Sequence, residues 1–540
     1  MRLLDKLDKV SSSRHITSTM YISSVGFFFI IVFFPPLLGI LTQWASIFQI
    51  FEQPELLARA QSVIFASFAI ALGVSALDIV AGLPLAWLIA RQSNKKYAHI
   101  LDTIADIPFV IPTVALGYSV LLFWSREGIS AFTEGVLISP GWMLIALLHF
   151  AFSYPVVVRV MVGALQDYER TLEVAARTLG ASSFTAIRTV SLSVLKPSLV
   201  SAFILAFARS LSETGATVMV AGTFENGTVF IENASNAGLV GPVVFVSFVL
   251  IVTSTMIFVV IQVLGPKLRI PVTKVWPNLE KMLSIGNVTR SRDLITLAVF
   301  LFFVIIPSLF VALPGMKALF DGTLGQAMSG TGVWSTYWQA ISLSYLIAFF
   351  ATLLNVATGL PLSIIIARKR VKTVESTILD AAVNVPIIVP SIALGVSLRL
   401  FWGGLAIPEF WILVLAHTTV TYTYFVRSMI SALQRTPPEL EEVARTLGGK
   451  PLTVFRKVTL SLTKYSMISG IVMAFTRSID ETGATLAVSK QLKTAPVLLV
   501  DWVKGTVSVS PSALGLGVGI LILTSFISLL AFKLASRRAH

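Results

Sequence analysis

Apolar residues run through this chain in long blocks. Twelve stretches are long enough to cross a bilayer, at roughly 20–44, 62–90, 106–124, 142–165, 197–222, 240–265, 294–315, 338–367, 381–402, 409–430, 463–488 and 512–534. A backbone in hydrocarbon must satisfy its own hydrogen bonds, so each stretch predicts a helix. The alternating ~10-residue pattern of a membrane barrel is absent. The expected fold is an all-α polytopic membrane protein with twelve transmembrane helices. Pro84, Pro108, Pro112, Pro361, Pro386 and Pro390 fall inside these stretches and are expected to break or kink them.

The pattern occurs twice. Gly82-Leu-Pro-Leu85 returns as Gly359-Leu-Pro-Leu362, and Pro108 and Pro112 return as Pro386 and Pro390. From His149 and His417 onward the copies lie 268 positions apart. Six spans per half bring each half back to the same side, so the repeat is parallel. Its pseudo-two-fold axis runs along the membrane normal, which suits a pathway between the halves. The halves are residues 1–265 and 294–540. The linker 266–293 carries Lys267, Arg269, Lys274, Lys281, Arg290 and Arg292, and reads as a cytoplasmic connector left by a fusion, able to form a short surface helix.

One passage in each half departs from the apolar pattern. Leu172–Thr217 and Leu440–Thr485 each begin as a charged amphipathic stretch and continue into an apolar helix carrying an Arg and a Glu. Gly180 and Gly448 suit a left-handed helix stop. Glu173 precedes Arg177, and Glu441 precedes Arg445, by four positions, the favourable order for a helix-surface pair. Leu172, Ala176 and Leu179, like Leu440, Ala444 and Leu447, share a face. A helix–glycine–helix elbow of this kind can dock a soluble partner.

Composition supports the membrane reading: 55% hydrophobic, 13% charged and mean hydropathy +0.84. The net charge of +14 is topological. With the N-terminus inside, 30 of the 41 Lys and Arg fall on cytoplasmic segments, which places both termini in the cytoplasm. No aromatic-basic pattern for nucleic acid accompanies it. The first apolar run is longer than a signal-peptide core and lacks a small-residue cleavage site, so it reads as an uncleaved span. With no cysteine there is no disulfide and no thiolate metal site.

Five arginines lie within the spans. Arg159 and Arg427 sit near cytoplasmic ends and can snorkel; Arg399 has no counterpart in the first half and is placed near the outer mouth. Arg209 and Glu213, and Arg477 and Glu481, stand one helical turn apart about a dozen residues into their spans; Asp480 adds a carboxylate in the second half only. Unpaired charges at that depth cost at least ~2.5–3.5 kcal/mol each. Two readings stand: ion pairs that lock packing, or the lining or gate of a pathway, with Thr217 and Thr485 beside it. His149 and His417 repeat at mid-span and read as hydrogen-bonded packing residues.

The elbow resembles the cytoplasmic loop of permeases from binding-protein-dependent ABC importers, whose core is Glu-Ala-Ala, three residues, Gly, nine residues, Ile-x-Leu-Pro. The second copy reads Glu442-Val443-Ala444, Gly448, Val458-Thr459-Leu460-Ser461; the first reads Val174-Ala175-Ala176, Gly180, Val190-Ser191-Leu192-Ser193. Val174 replaces the family Glu, which implies a weaker first contact unless Glu173 substitutes. Ser193 and Ser461 replace the Pro.

The resemblance implies a type I ABC importer (MetI-like) permease fold with docking loops at about 166–196 and 434–464. It also implies two ATPase subunits docked through Glu173, Ala176, Arg177, Leu179, Gly180, Glu441, Glu442, Ala444, Arg445, Leu447 and Gly448, and an extracytoplasmic substrate-binding protein. No Gly-x4-Gly-Lys-Ser/Thr occurs, so ATP and Mg are expected on the partners, with no cofactor, catalytic residue or metal site here. The fused length resembles ferric-iron and thiamine importers, whereas Ala208–Thr217 is similar to molybdate, tungstate and sulfate permeases. An ion-gradient-driven secondary transporter is the alternative class, and it would not need twin docking loops.

Overall fold

The computed structural model describes residues 13–91, 96–126, 136–267, 277–369 and 373–538, and the regular structure among them is helical throughout. The basic residues Arg2, Lys6, Lys9, Arg269 and Lys274 lie outside the described residues. Among the described residues eight helices are long and apolar enough to cross a membrane, or eleven if each of three bent pairs forms one span. These correspond to eleven of the twelve apolar stretches. The twelfth is the 27-residue helix Glu409–Arg435, which is long enough but fails on apolarity. Its polar residues face inward. Thr418, Thr421 and Thr423 are buried, and their hydroxyls donate to the carbonyls of Val414, His417 and Val383 at 2.7, 2.6 and 2.6 Å. A helix enclosed by other helices can carry such residues without exposing them to lipid.

The prolines divide into two groups. Helices Lys96–Phe109 and Thr113–Ser125 meet at 97°, and Glu375–Ile388 and Ser391–Trp402 at 105°. Pro112 and Pro390 sit at these corners, and the residues before them, Ile111 and Val389, are extended. Pro84 and Pro361, by contrast, lie inside helices that continue through them, Pro54–Arg91 and Val333–Ala367. The third bend, 73°, separates Ser183–Val194 from Lys196–Ser212, where Pro197 enters the first turn. Tyr465 holds the equivalent position in the second half, and there the helix runs unbroken from Pro451 to Ile479.

The two halves exchange their first spans. The helix His15–Ile50 lies against the second half, with Phe28 and Val32 buried among Leu362, Tyr422 and Phe425. The helix Gly286–Lys317 lies against the first half, with Phe300 and Val304 beside Leu85, Ala86 and Tyr154. A serine pins each span. Ser397 Oγ donates to the Pro35 carbonyl at 2.9 Å and accepts the Ile40 N–H at 3.1 Å. Its counterpart Ser119 donates to the Pro307 carbonyl at 2.7 Å and accepts the Val311 N–H at 2.8 Å. Lipid supplies no hydrophobic drive between helices, so such close packing and interhelical hydrogen bonds hold the bundle.

Candidate docking loops and the contact between the halves

The two elbows take the shape their sequences predict. Helices Thr171–Thr178 and Glu439–Thr446 end in glycines with φ of +90° at Gly180 and +84° at Gly448. In each, the next residue closes the turn: the Ala181 N–H donates to the Ala176 carbonyl at 3.1 Å and the Gly449 N–H to the Ala444 carbonyl at 3.0 Å. Leu179 and Leu447 are 89% and 83% exposed, and Leu172, Val174, Leu440 and Val443 are exposed with them. Arg177, Arg445 and Glu442 are also exposed, while Ala176 and Ala444 are half-buried beneath this face.

The glutamates Glu173 and Glu441 behave differently from the expectation. Neither pairs with the arginine four residues on. Glu441 bonds to Arg368 Nη2 at 2.8 Å, and Glu173 pairs with Arg91 and accepts from Ser191 Oγ at 3.0 Å. Arg91 and Arg368 end the long second spans, so these pairs tie each docking helix to the membrane bundle. Glu173 is thus engaged with the bundle, one position before that of the family Glu. That position is Val174 in the first loop and the exposed Glu442 in the second.

The fifth spans break where the sequence places their charges. The helices Lys196–Ser212 and Leu460–Ile479 stop just before or at the acidic residues, and the short helices Gly215–Val220 and Gly483–Val488 follow. Glu213 and Glu481 cap these short helices: their Oε1 atoms accept the N–H of Ala216 at 3.2 Å and of Ala484 at 2.9 Å. The Thr-Gly dipeptide after each Glu is the sequence signal for the break. His149 and His417 brace it. Their Nδ1 atoms lie 2.8 and 2.9 Å from Ser210 and Ser478 Oγ, and their Nε2 atoms 2.8 and 2.9 Å from Thr217 and Thr485 Oγ1. Thr217 and Thr485, expected along a pathway, are thus bonded into this bracket and fully buried.

Only one of the two anticipated Arg–Glu pairs forms. Arg477 Nη2 lies 2.9 Å from Glu481 Oε2, with Asp480 Oδ2 at 4.0 Å. Arg209 makes no ion pair among the described residues; its guanidinium lies 5.6 Å from the Phe152 ring centroid.

Around the breaks the halves touch. A Cβ on Gly215 would stand 2.6 Å from the Thr482 Cβ, and one on Gly483 would stand 2.7 Å from Thr214 Oγ1. Asp480 Oδ1 accepts the Thr113 N–H at 2.8 Å, and Ser391 Oγ donates to the Ser212 carbonyl at 3.3 Å. Residues 113 and 391, and 212 and 480, occupy equivalent places in the repeat, so the contact is pseudo-symmetric. Farther along, Lys504 of the second half reaches Glu232 of the first at 2.8 Å. Arg399 is exposed beside Lys490 at a cavity of about 230 Å³ between the halves.

Residues 82–270 and again 359–539 match the family of binding-protein-dependent transport system inner membrane components. The chain belongs to this family. One match begins in each half, so this family member is a fusion of two copies within one chain. Similar proteins include the molybdate/tungstate transport system permease protein WtpB of Pyrococcus furiosus, 32% identical over 30% of this chain and 65% of its own length. The molybdenum transport system permease protein ModB of Escherichia coli is 34% identical over 28% of this chain and 68% of its own. The sulfate transport system permease protein CysT of Salmonella typhimurium is 30% identical over 33% of this chain and 64% of its own. The matched stretch thus spans about two thirds of each relative.

Several buried polar groups of this family member escaped the sequence reading. Asp78 lies inside the second span and accepts from Ser153; at the equivalent place Asn355 donates to Thr421 Oγ1 at 2.7 Å. A lone acid in an apolar run, matched by an Asn in the other copy, was the available signal. Arg159 and Arg427 do not merely snorkel. Arg159 grips Asp102 and Asp106, and Arg427 grips Asp380 at 2.7 Å and Asn384 at 2.6 Å, which fixes the third span to the fourth.

Proposed function

We propose that this chain forms the substrate pathway of an ATP-driven importer for a tetrahedral oxyanion of the molybdate, tungstate and sulfate class. The path runs along the pseudo-two-fold axis, and the Thr214–Gly215 and Thr482–Gly483 contact closes it. The observation that carries the importer reading is the pair of exposed, glycine-capped helices, Thr171–Thr178 and Glu439–Thr446, held in register on twin halves. Each presents leucines to the aqueous side, a face suited to the groove of a soluble ATPase. One ATPase subunit per loop, carrying ATP and Mg, and an extracytoplasmic binding protein complete the assembly, with both termini of this chain in the cytoplasm.

The oxyanion class rests on the relatives, none of those named above being named for ferric iron or thiamine. Arg209 adds to it, as a half-buried cation without an ion pair among the described residues. The test is uptake into proteoliposomes holding this chain, its ATPase and its binding protein. Labelled molybdate or sulfate should enter only with internal ATP and should continue to enter after a protonophore collapses the proton gradient. Uptake that stops with the gradient and ignores ATP would establish the secondary-transporter reading instead.

A further inference from the structure

The linker between the halves buries a carboxylate. Glu280, on the short helix Pro277–Met282, is only 2% exposed. Its Oε1 accepts from Arg188 Nε at 2.9 Å and lies 2.8 Å from Arg188 Nη2; its Oε2 accepts from Thr185 Oγ1 at 2.5 Å. Two residues past the helix, Ser284 Oγ accepts the Phe184 N–H at 3.0 Å and donates to the Glu280 carbonyl at 2.7 Å. Burying a carboxylate is strongly unfavourable unless it is paired and hydrogen-bonded, and this one is both. The contact is therefore a built joint between linker and loop.

Its place in the fold gives it meaning. Phe184, Thr185 and Arg188 lie on the arm that begins three residues after Gly180, so they fix the base of the first docking elbow. In the second half the equivalents of Thr185 and Arg188 are Thr453 and Arg456. Arg456 is exposed and makes no ion pair among the described residues. The first loop is also the one in which Val174 replaces the Glu that the second keeps as Glu442.

We infer that Glu280 is a positioning residue that stiffens the first docking loop from within the chain, so that force from the ATPase at this loop reaches the membrane helices although Val174 weakens the grip. The linker is thus part of the transmission as well as the tether between the halves. This rests on the docking reading above.

The test uses the full reconstituted complex and three readouts: ATPase bound per chain, solute carried per ATP hydrolysed, and hydrogen exchange of the two elbows. Glu280→Gln should leave both ATPase subunits bound, lower solute per ATP several-fold, and speed amide exchange across 172–186 on the order of tenfold, with 440–454 unchanged. Exchanging the charges, Glu280→Arg with Arg188→Glu, should recover much of the loss, and Arg456→Gln should have no effect. Unchanged exchange and unchanged solute per ATP in Glu280→Gln would overturn the inference, as would an equal loss from Arg456→Gln. Should Glu280→Gln assemble poorly, Thr185→Val removes one hydrogen bond and is read by the same exchange comparison, with equal exchange in the two elbows counting against the joint. The docking reading fails separately, if Gly180→Pro and Gly448→Pro both leave ATPase binding and coupling intact.

Discussion

Asp480→Ala probes the closed contact through a single hydrogen bond between the halves. Thr113 opens the helix after the Pro112 corner, so its N–H has no partner within that helix. Asp480, from the other half, accepts it at 2.8 Å. A hydrogen bond to a charged acceptor contributes about 1.5–3 kcal/mol, and its loss here leaves a buried donor unsatisfied. Arg477 at 4.0 Å also attracts this carboxylate, although Glu481 at 2.9 Å is that cation's nearer partner, so the Asn variant is needed to separate charge from hydrogen bond. If the bond exists only while the halves are closed, its loss favours the parted state by about 10- to 150-fold.

The assay is the reconstituted complex without binding protein, read by basal ATP hydrolysis and by leak of labelled oxyanion. Both should rise in Asp480→Ala. Asp480→Asn keeps an acceptor at the same place and should lie between Ala and the parent. Normal assembly with basal hydrolysis and leak at the parent level in Asp480→Ala would refute the reasoning. An Asn variant as severe as Ala would show that the negative charge matters and the hydrogen bond to Thr113 does not.

Other substitutions separate the remaining roles. Gly448→Pro should uncouple hydrolysis from uptake more than Gly180→Pro, because only the second loop keeps Glu442; equal ratios of solute to ATP would remove weight from that asymmetry. Glu481→Gln should raise hydrolysis without uptake if the Arg477 pair acts in the gate. Restoration of yield and full transport by Arg477→Gln with Glu481→Gln would make the pair purely structural. His417→Ala should lower the yield of folded protein, by about 1–3 kcal/mol of lost buried hydrogen bonding. The surviving complexes should stay coupled, and normal yield with lost transport would place the imidazole in the pathway.

Apolarity located eleven of the twelve expected spans, while Glu409–Arg435 is a helix whose threonines are hidden by burial, and the glycines at 180 and 448 foretold both elbows. Contacts between distant segments were not legible. Nothing in the pattern around Phe28 or Phe300 says which half that span will cover, because either half offers an apolar face. The helix breaks at Glu213 and Glu481 were signalled by Thr-Gly but masked by the apolar run around them, so both Arg–Glu pairs were placed on continuous helices. Glu280 was hidden for another reason. A basic linker reads as topology, and one of its two acids gains meaning only when Arg188 and Thr185 are seen to close around it.

Under the proposed function, solute passes only when the halves part at Gly215 and Thr482. Because the chain contains no cysteine, Gly215→Cys with Thr482→Cys introduces the two thiols alone. Their Cβ positions lie 2.6 Å apart, so a relaxation of about 1 Å reaches the span of a disulfide. The measurement is ATP-driven oxyanion uptake by this variant, oxidised and then reduced in the same proteoliposomes. The reduced protein should carry solute, oxidation should abolish uptake, and reductant should restore it. Cross-linked protein that carries solute at the reduced rate would contradict a pathway through this contact.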